Sequence, residues 1–279
     1  MNITPIAQIT GDQDGAIWGQ YVFRFDHKGH CSVHALHSWE LLSNFTLDRA
    51  DQIVPHSNAV VFGSEYYASE DEFPLLYSNI YNNYARASDP RKGVCCVYRL
   101  IRQGNTFSTQ LVQLLTIGFV ENTRLWGSPE GDIRPYGNFV IDRDNRRLWA
   151  FVMRDGAKRT RYFSFHLPSV HEGIIDEALQ VKNCILTEKD ILTSFDVPYH
   201  HFIQGACLHQ GKIYSVEGFT NDEKNPPGLR IIDTAAGLEE LYVNFMDLGI
   251  REEAEFIDFA DGICYYSDAH GKLYTIQFS

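Results

Sequence analysis

An all-β chain folded as a five-bladed β-propeller is the architecture this sequence predicts, and three observations predict it. Runs rich in aromatic and β-branched residues dominate the 279 positions, with 15 Tyr, 18 Phe and 4 Trp. Turn dipeptides interrupt those runs at short intervals. One hairpin design recurs along the chain, each copy preceded by a short strand with a polar residue at its head.

"YVFRFDHKGHCSVHAL" (21–36) is two strands around a turn at Asp26–Gly29. "LLYSNIYNNY…VCCVYRLI" (75–101) and "LWAFVMRDGAKRTRYFSFHL" (148–167) repeat it, the former with a longer loop. "KIYSVEGF…GLRIIDT" (212–234) and "ICYYSDAHGKLYTIQF" (263–278) complete the set. The strands ahead of them read "DGAIW" from Asp14, "NAVVF" from Asn58, "NFVID" from Asn138, "QGACL" from Gln204 and "EFIDF" from Glu255. Four hairpins are followed by one more strand candidate, at 39–47, 108–117, 181–187 and 238–245. The last hairpin has none, and "ITPIAQIT" (3–10) can supply it from the other end of the chain. The blades are therefore 14–47, 58–118, 138–187, 204–245 and 255–279 plus 3–10, in a single propeller domain. An irregular β-sandwich is the competing arrangement of the same strands. Helix is sparse: "TEKDILTSF" (187–195), with Thr187 and Asp190 at capping-box spacing, is the best short candidate.

Bulk properties narrow the function classes. A formal net charge of −12 argues against nucleic acid and anionic membranes as partners, since both need clustered Lys and Arg. No apolar run approaches the length of a membrane helix, and no signal peptide is visible at the N-terminus. The six cysteines show no Cys-x-x-Cys spacing and sit in strand-like apolar surroundings, which suits reduced thiols in a cytoplasmic protein.

The polar heads of the innermost strands point to one site. In a propeller these strands line the channel, so Asp14, Asn58, Asn138, Gln204 and Glu255 would form a ring of oxygen-bearing side chains around a water-filled hole. Asp14 and Glu255 would be neighbours, because the fifth blade abuts the first. Two close carboxylates need a raised pKa or a cation between them. Ca²⁺ suits such oxygens, with Asp14 and Glu255 as its ligands; ordered water bound by the same groups is the other reading.

Loops entering the inner strands share a face with the hairpin loops. That mouth would gather His56, Arg134, Tyr136, His200, His201 and Glu253, with Asn82 and Asn83 from one hairpin loop and Asn221 and Asp222 from another. His56 and His201 are the candidate acid–base groups. Arg134 suits a phosphate or carboxylate, and the asparagines, Tyr136, His200, Gln204 and Glu253 suit a polar ligand. "DRDNRR" (142–147) resembles part of a calcium loop but lacks its glycine and distal glutamate, and reads as a hairpin turn.

The pattern resembles the five-bladed propeller superfamily, which includes apyrase-type, arabinanase-type and levansucrase-type enzymes and helveticin-like proteins. "IQGACLHQGKIYSVEGF" (203–219) and "EAEFIDF" (253–259) are most similar to the helveticin-like pattern, through Gln204-Gly205 and the Glu253/Glu255 pair. That resemblance implies binding of cell-wall polymer or sugar. The apyrase-type resemblance implies an axial Ca²⁺, although Asn58 and Asn138 stand where carboxylates are expected. Three function classes follow. The first is a binding propeller for a sugar- or phosphate-bearing small molecule or polymer end. The second is a Ca²⁺-dependent hydrolase of a phosphate ester or glycoside with a histidine base, and the third is a protein-interaction scaffold.

Overall fold

The computed structural model describes residues 1–80, 93–117, 138–154, 159–198 and 202–278. Strand β1 (Asn2–Gln8) opens the chain. The first blade follows as β2 (Gly15–Trp18), β3 (Tyr21–Phe25), β4 (His30–Ala35) and β5 (Leu41–Thr46). The second is β6 (Pro55–Phe62), β7 (Leu76–Ile80), β8 (Val94–Gln103) and β9 (Thr106–Ile117). The third starts with β10 (Asn138–Asp142), β11 (Arg147–Arg154) and β12 (Arg159–His166). A short hairpin, β13 (Ile174–Asp176) and β14 (Val181–Leu186), intervenes before β15 (Thr193–Pro198). The fourth blade is β16 (Ile203–His209), β17 (Lys212–Glu217), β18 (Gly228–Asp233) and β19 (Leu238–Asn244). The fifth is β20 (Ala254–Ala260), β21 (Ile263–Asp268) and β22 (Lys272–Gln277).

The sheets are antiparallel within each blade, and the fifth is completed by the N-terminal strand in the order β1-β22-β21-β20. Asn2 pairs with Gln277 and Gln8 with Lys272, so the ring closes as the sequence predicts. The expected fourth strand of the third blade is corrected. Residues 181–187 leave that blade: β14 runs parallel to β9, with Lys182 opposite Gln113 and Leu186 opposite Ile117. The second sheet thereby has six strands, and β15 completes the third. Phe195 fixes that choice by stacking on Tyr162 at 5.4 Å and packing against Trp149. The capping box at Thr187 and Asp190 forms, but over a single 3₁₀ turn (Glu188–Asp190).

The apolar core lies in five seams, one between each pair of neighbouring blades. In the first seam Phe23 meets Phe62, Phe73 and Phe107 at 5.4–5.9 Å. Strands two and three of each blade are covered on both faces, whereas the outer strands β1, β5 and β19 are largely exposed. This is why the hairpins read as continuous apolar runs and the outer strands as mixed ones. All six cysteines are free thiols, five of them buried. No helix among the described residues is long and apolar enough to cross a membrane.

Closure by β1 is the step that joins distant parts of the chain, so it should carry stability. Deleting residues 1–8 is expected to lower the melting temperature by about 10 °C or more, because the whole β1–β22 ladder and the Ile3 contact are lost. A scan by differential scanning calorimetry checks this, and an unchanged transition would contradict the closure.

Candidate functional site at the channel

Each innermost strand pairs on one side only, and its other edge faces the axis. Backbone N–H and C=O groups on that edge need partners, because the ring leaves little water around them. The strands β2, β6, β10, β16 and β20 each touch the next, and β6 and β16 also approach across the axis. Side chains from the neighbouring blade meet part of this need. Asp14 is fully buried, and its Oδ2 accepts from the Val60 amide of the second blade at 2.9 Å. Asn138 Nδ2 donates to the Ile203 carbonyl of the fourth blade at 2.8 Å. Asp258 Oδ2 accepts from the Ile17 amide of the first blade at 2.7 Å. Asn138 heads its strand, then, because it clasps the next blade.

The other heads are also engaged. Gln204 Nε2 donates to Glu253 Oε1 in the fifth blade. Asn58 Oδ1 accepts from Asn79 Nδ2 within its own blade, and Asn79 Oδ1 accepts from the Ala59 amide at 3.2 Å. The strands bulge at three of these heads, between Pro55 and Val60, Ile203 and Gly205, and Ala254 and Phe256. A bulge leaves its extra residue out of the ladder, which frees Asn58, Gln204 and Glu255 to turn toward the channel. Gly205 lets the chains meet: a Cβ there would lie 2.4 Å from the Glu255 carbonyl oxygen and 3.0 Å from Asp14 Oδ1. The Asp14 carboxylate thus lies close to the Glu255 backbone, near enough for the two charges to act on each other, as their positions in the repeat imply.

Near both stands a residue the sequence reading missed. Arg24, on β3, is fully buried. Its Nη1 donates to the Gln13 carbonyl, its Nη2 to the Gly11 carbonyl at 3.2 Å, and its guanidinium lies 4.8 Å from the Phe256 ring centroid. Gly11, at φ +132°, makes room, since a Cβ there would be 2.7 Å from that of Arg24. Burial lowers the Arg24 pKa to about 10, against the opposing pull of Asp14, Glu255, Asp12 and Asp268. Burial pushes Asp14 up, while the Val60 and Gly15 amides and the Arg24 charge pull it back. Glu255 is pushed up by burial and then by the charge of Glu253, with Arg24 opposing. A buried arginine inside "YVFRF" looks like an exposed strand residue to any period-two reading; the only signal was a lone cation amid four aromatic and aliphatic neighbours.

This arrangement does not fit a Ca²⁺ site. The positive charge among Asp14 and Glu255 is a covalent part of the chain, Asp14 Oδ2 and Asn58 Oδ1 already accept protein N–H groups, and no group of three or more His, Cys, Asp or Glu among the described residues is placed to hold a metal.

Two pairs of loops meet at the upper rim. His27 Nδ1 lies 3.5 Å from Asp12, the Asn221 amide donates to the Arg251 carbonyl at 2.9 Å, and the Glu253 amide donates to Thr220 Oγ1 at 3.0 Å. Loops entering the inner strands therefore share this face with the hairpin loops. Asp222 shapes its own loop by accepting from the Lys224 amide. His56 is half-buried, and burial followed by the charge of His27 lowers its pKa to about 4. It is a neutral imidazole near pH 7, poorly matched to activating water. Glu253 is half-buried and pushed up by burial, with the Gln204 bond opposing. His201, His200, Arg134, Tyr136, Asn82 and Asn83 lie outside the described residues. At the channel end of this rim, Asp12 Oδ1, Gln13 Oε1, Asp14 Oδ1 and Glu255 Oε2 are buried acceptors without a protein partner, against one such donor, Arg24 Nε.

Fold and site together define a five-bladed β-propeller with a charged, acceptor-rich channel mouth. No protein-family model matches the chain, and no protein of curated function matches it by sequence. Among solved structures it is similar to the glutaminyl cyclase of Myxococcus xanthus, at a TM-score of 0.52 and 11% identity over 99% of this chain and 93% of that one. A weaker likeness to the Kuenenia stuttgartiensis hydrazine synthase has a TM-score of 0.42 and 9% identity, over 91% of this chain and 60% of that one. At these identities the likeness concerns the fold.

Two outcomes follow from the electrostatics. Arg24→Gln should destabilise the protein by about 3–5 kcal/mol in urea unfolding, because it leaves buried carboxylates uncompensated; a loss under about 1 kcal/mol would mean that Arg24 is not their counter-charge. Asp258 is raised by burial from 3.8 to about 6. A carboxyl raised in the folded state contributes stability that is complete below its unfolded value and is lost as pH rises through the folded one. The protein should thus lose this contribution between about pH 4 and 6, and Asp258→Asn should flatten that part of the stability–pH curve.

Proposed function

We propose that the protein is a binding propeller whose upper channel mouth takes a hydroxyl-rich, sugar-bearing small molecule or polymer end. The observation that carries this is the crowding of acidic acceptors at the mouth: half-exposed Asp12 and Glu253 stand over buried Asp14 and Glu255, with Arg24 as the cation acting on the buried pair. A ligand that completes such a set brings donors, and sugar hydroxyls do so in several directions at once. Carboxylates at Asp12, Asp14, Glu253 and Glu255 repel a phosphate, while Arg24 is already balanced by them. Of the two ligand types the sequence leaves open, the sugar is favoured on this ground. The Gln204-Gly205 and Glu253/Glu255 pattern, which resembles helveticin-like propellers, points the same way.

Glu253 is the residue to test, because it is half-exposed and linked to Gln204 at the edge of the set. Isothermal titration with neutral mono- and oligosaccharides, and with the same sugars as phosphate esters, distinguishes the ligand types. A neutral sugar should bind, and Glu253→Gln should weaken it about tenfold, the worth of one charge-assisted hydrogen bond. Preference for the phosphate esters, or binding indifferent to Glu253→Gln, would refute the assignment.

A further inference from the structure

The opposite end of the channel has its own constellation. Inner strands leave the axis there through short turns: Trp18 ends β2, Arg143 follows β10, His209 ends β16, and Phe259 lies near the end of β20. The Arg143 guanidinium stands 5.4 Å from the Trp18 ring centroid, reaching from the third blade to the first. The His209 ring lies flat on Phe259, with centroids 4.0 Å apart and planes 4° from parallel, and Tyr214 meets Phe259 edge-on at 4.8 Å. Arg143 is near enough to His209 and Asp258 for its charge to act on both.

Two features distinguish this cluster from ordinary packing. Arg143 is exposed and, among the described residues, forms neither an ion pair nor a side-chain hydrogen bond. The carboxylates beside it are committed elsewhere: Asp142 accepts from the Asn145 amide and side chain, and Asp258 from the Ile17 and Phe259 amides. The surroundings are also open. A Cβ at Gly19, Gly211 or Gly262, in three of the turns on this rim, would meet nothing within 4 Å. Trp18, His209 and Phe259 are each half-exposed. A guanidinium whose donor edge is uncommitted takes a carboxylate or phosphate, and flat rings beside it take another flat ring.

We propose that this lower mouth binds an aromatic ring bearing a carboxylate or phosphate, with Arg143 taking the anion and Trp18 and His209 contacting the ring. This site is separate from the sugar-binding mouth in residues and in charge.

Trp18 reports on it. The test titrates the full chain with benzoate and, separately, with adenosine 5′-monophosphate while following tryptophan fluorescence, with Trp18→Phe used to assign the signal. Saturable quenching that disappears in Trp18→Phe and weakens about tenfold or more in Arg143→Gln is expected. Response to only one probe keeps the proposal and identifies the anion. Quenching equally strong in Arg143→Gln overturns it, as does the absence of saturable quenching by either probe up to about 10 mM. Arg143 is exposed in a turn, so Arg143→Gln should keep the wild-type circular dichroism spectrum and melting temperature, which separates lost binding from lost fold.

Discussion

Every innermost strand of a closed ring has one edge with no strand beside it, and that edge is the constraint on which this molecule turns. In an open sheet such an edge meets water or another chain. Here it faces a channel narrow enough that β6 and β16 approach each other across it. Asp14, Asn138 and Asp258 answer the constraint by reaching to backbone groups of the following blade. These bonds link neighbouring blades at the axis. The polar heads of the strands are thus first of all structural.

A structural solution of this kind leaves a chemical residue. Carboxylates are good acceptors for edge amides, but burying them is costly, and burial lifts both Asp14 and Glu255. Arg24 supplies the compensating charge from the second strand of the first blade, held by two backbone carbonyls. Each side chain spends only part of its hydrogen-bonding capacity on the clasp. Asp14 gives Oδ2 to Val60 and keeps Oδ1 unpartnered; Arg24 uses its two terminal nitrogens and keeps Nε. The surplus collects at the upper end, at the point where the blades are fastened.

How much of this was legible in the sequence differs by level. Ring closure was, because the fifth hairpin lacks a follower and residues 3–10 have strand character. Convergence of Asp14 with Glu255 was too, since it follows from repeat position alone. The exchange at the third blade was not. Both "VKNCIL" and "TSFDVP" can form strands, and only the long free edge of the twelve-residue β9 draws the first away. What Asn138 does was also hidden, because a polar residue facing an axis and one donating to the next strand's carbonyl have the same spacing. Arg24 was invisible for a deeper reason: its role depends on two segments, 11–14 and the one around Glu255, that meet only when the ring is closed.

The two ends of the channel are built by different means, and this bears on what each can recognise. Below, β10 turns through 143–146 and β6 through the longer 63–75, whereas β2, β16 and β20 turn in two residues, with left-handed pairs at Gln210-Gly211 and Asp261-Gly262. Such turns match the twist of the strands they join and hold their flanking side chains rigidly. Trp18 and His209, which flank such turns, therefore stand on a preset frame. Above, the inner strands are entered by longer connections, and the hairpin loop at 218–227 leans on the segment at 251–253 through backbone and threonine contacts. Specificity at that end is written in loops carried by the scaffold, while the floor beneath them is fixed by the clasps and Arg24. A change in the loops can alter that face without disturbing closure, whereas a change at the floor reaches both, because there the same side chains, Asp14 and Arg24, fasten the ring and carry the unpartnered atoms.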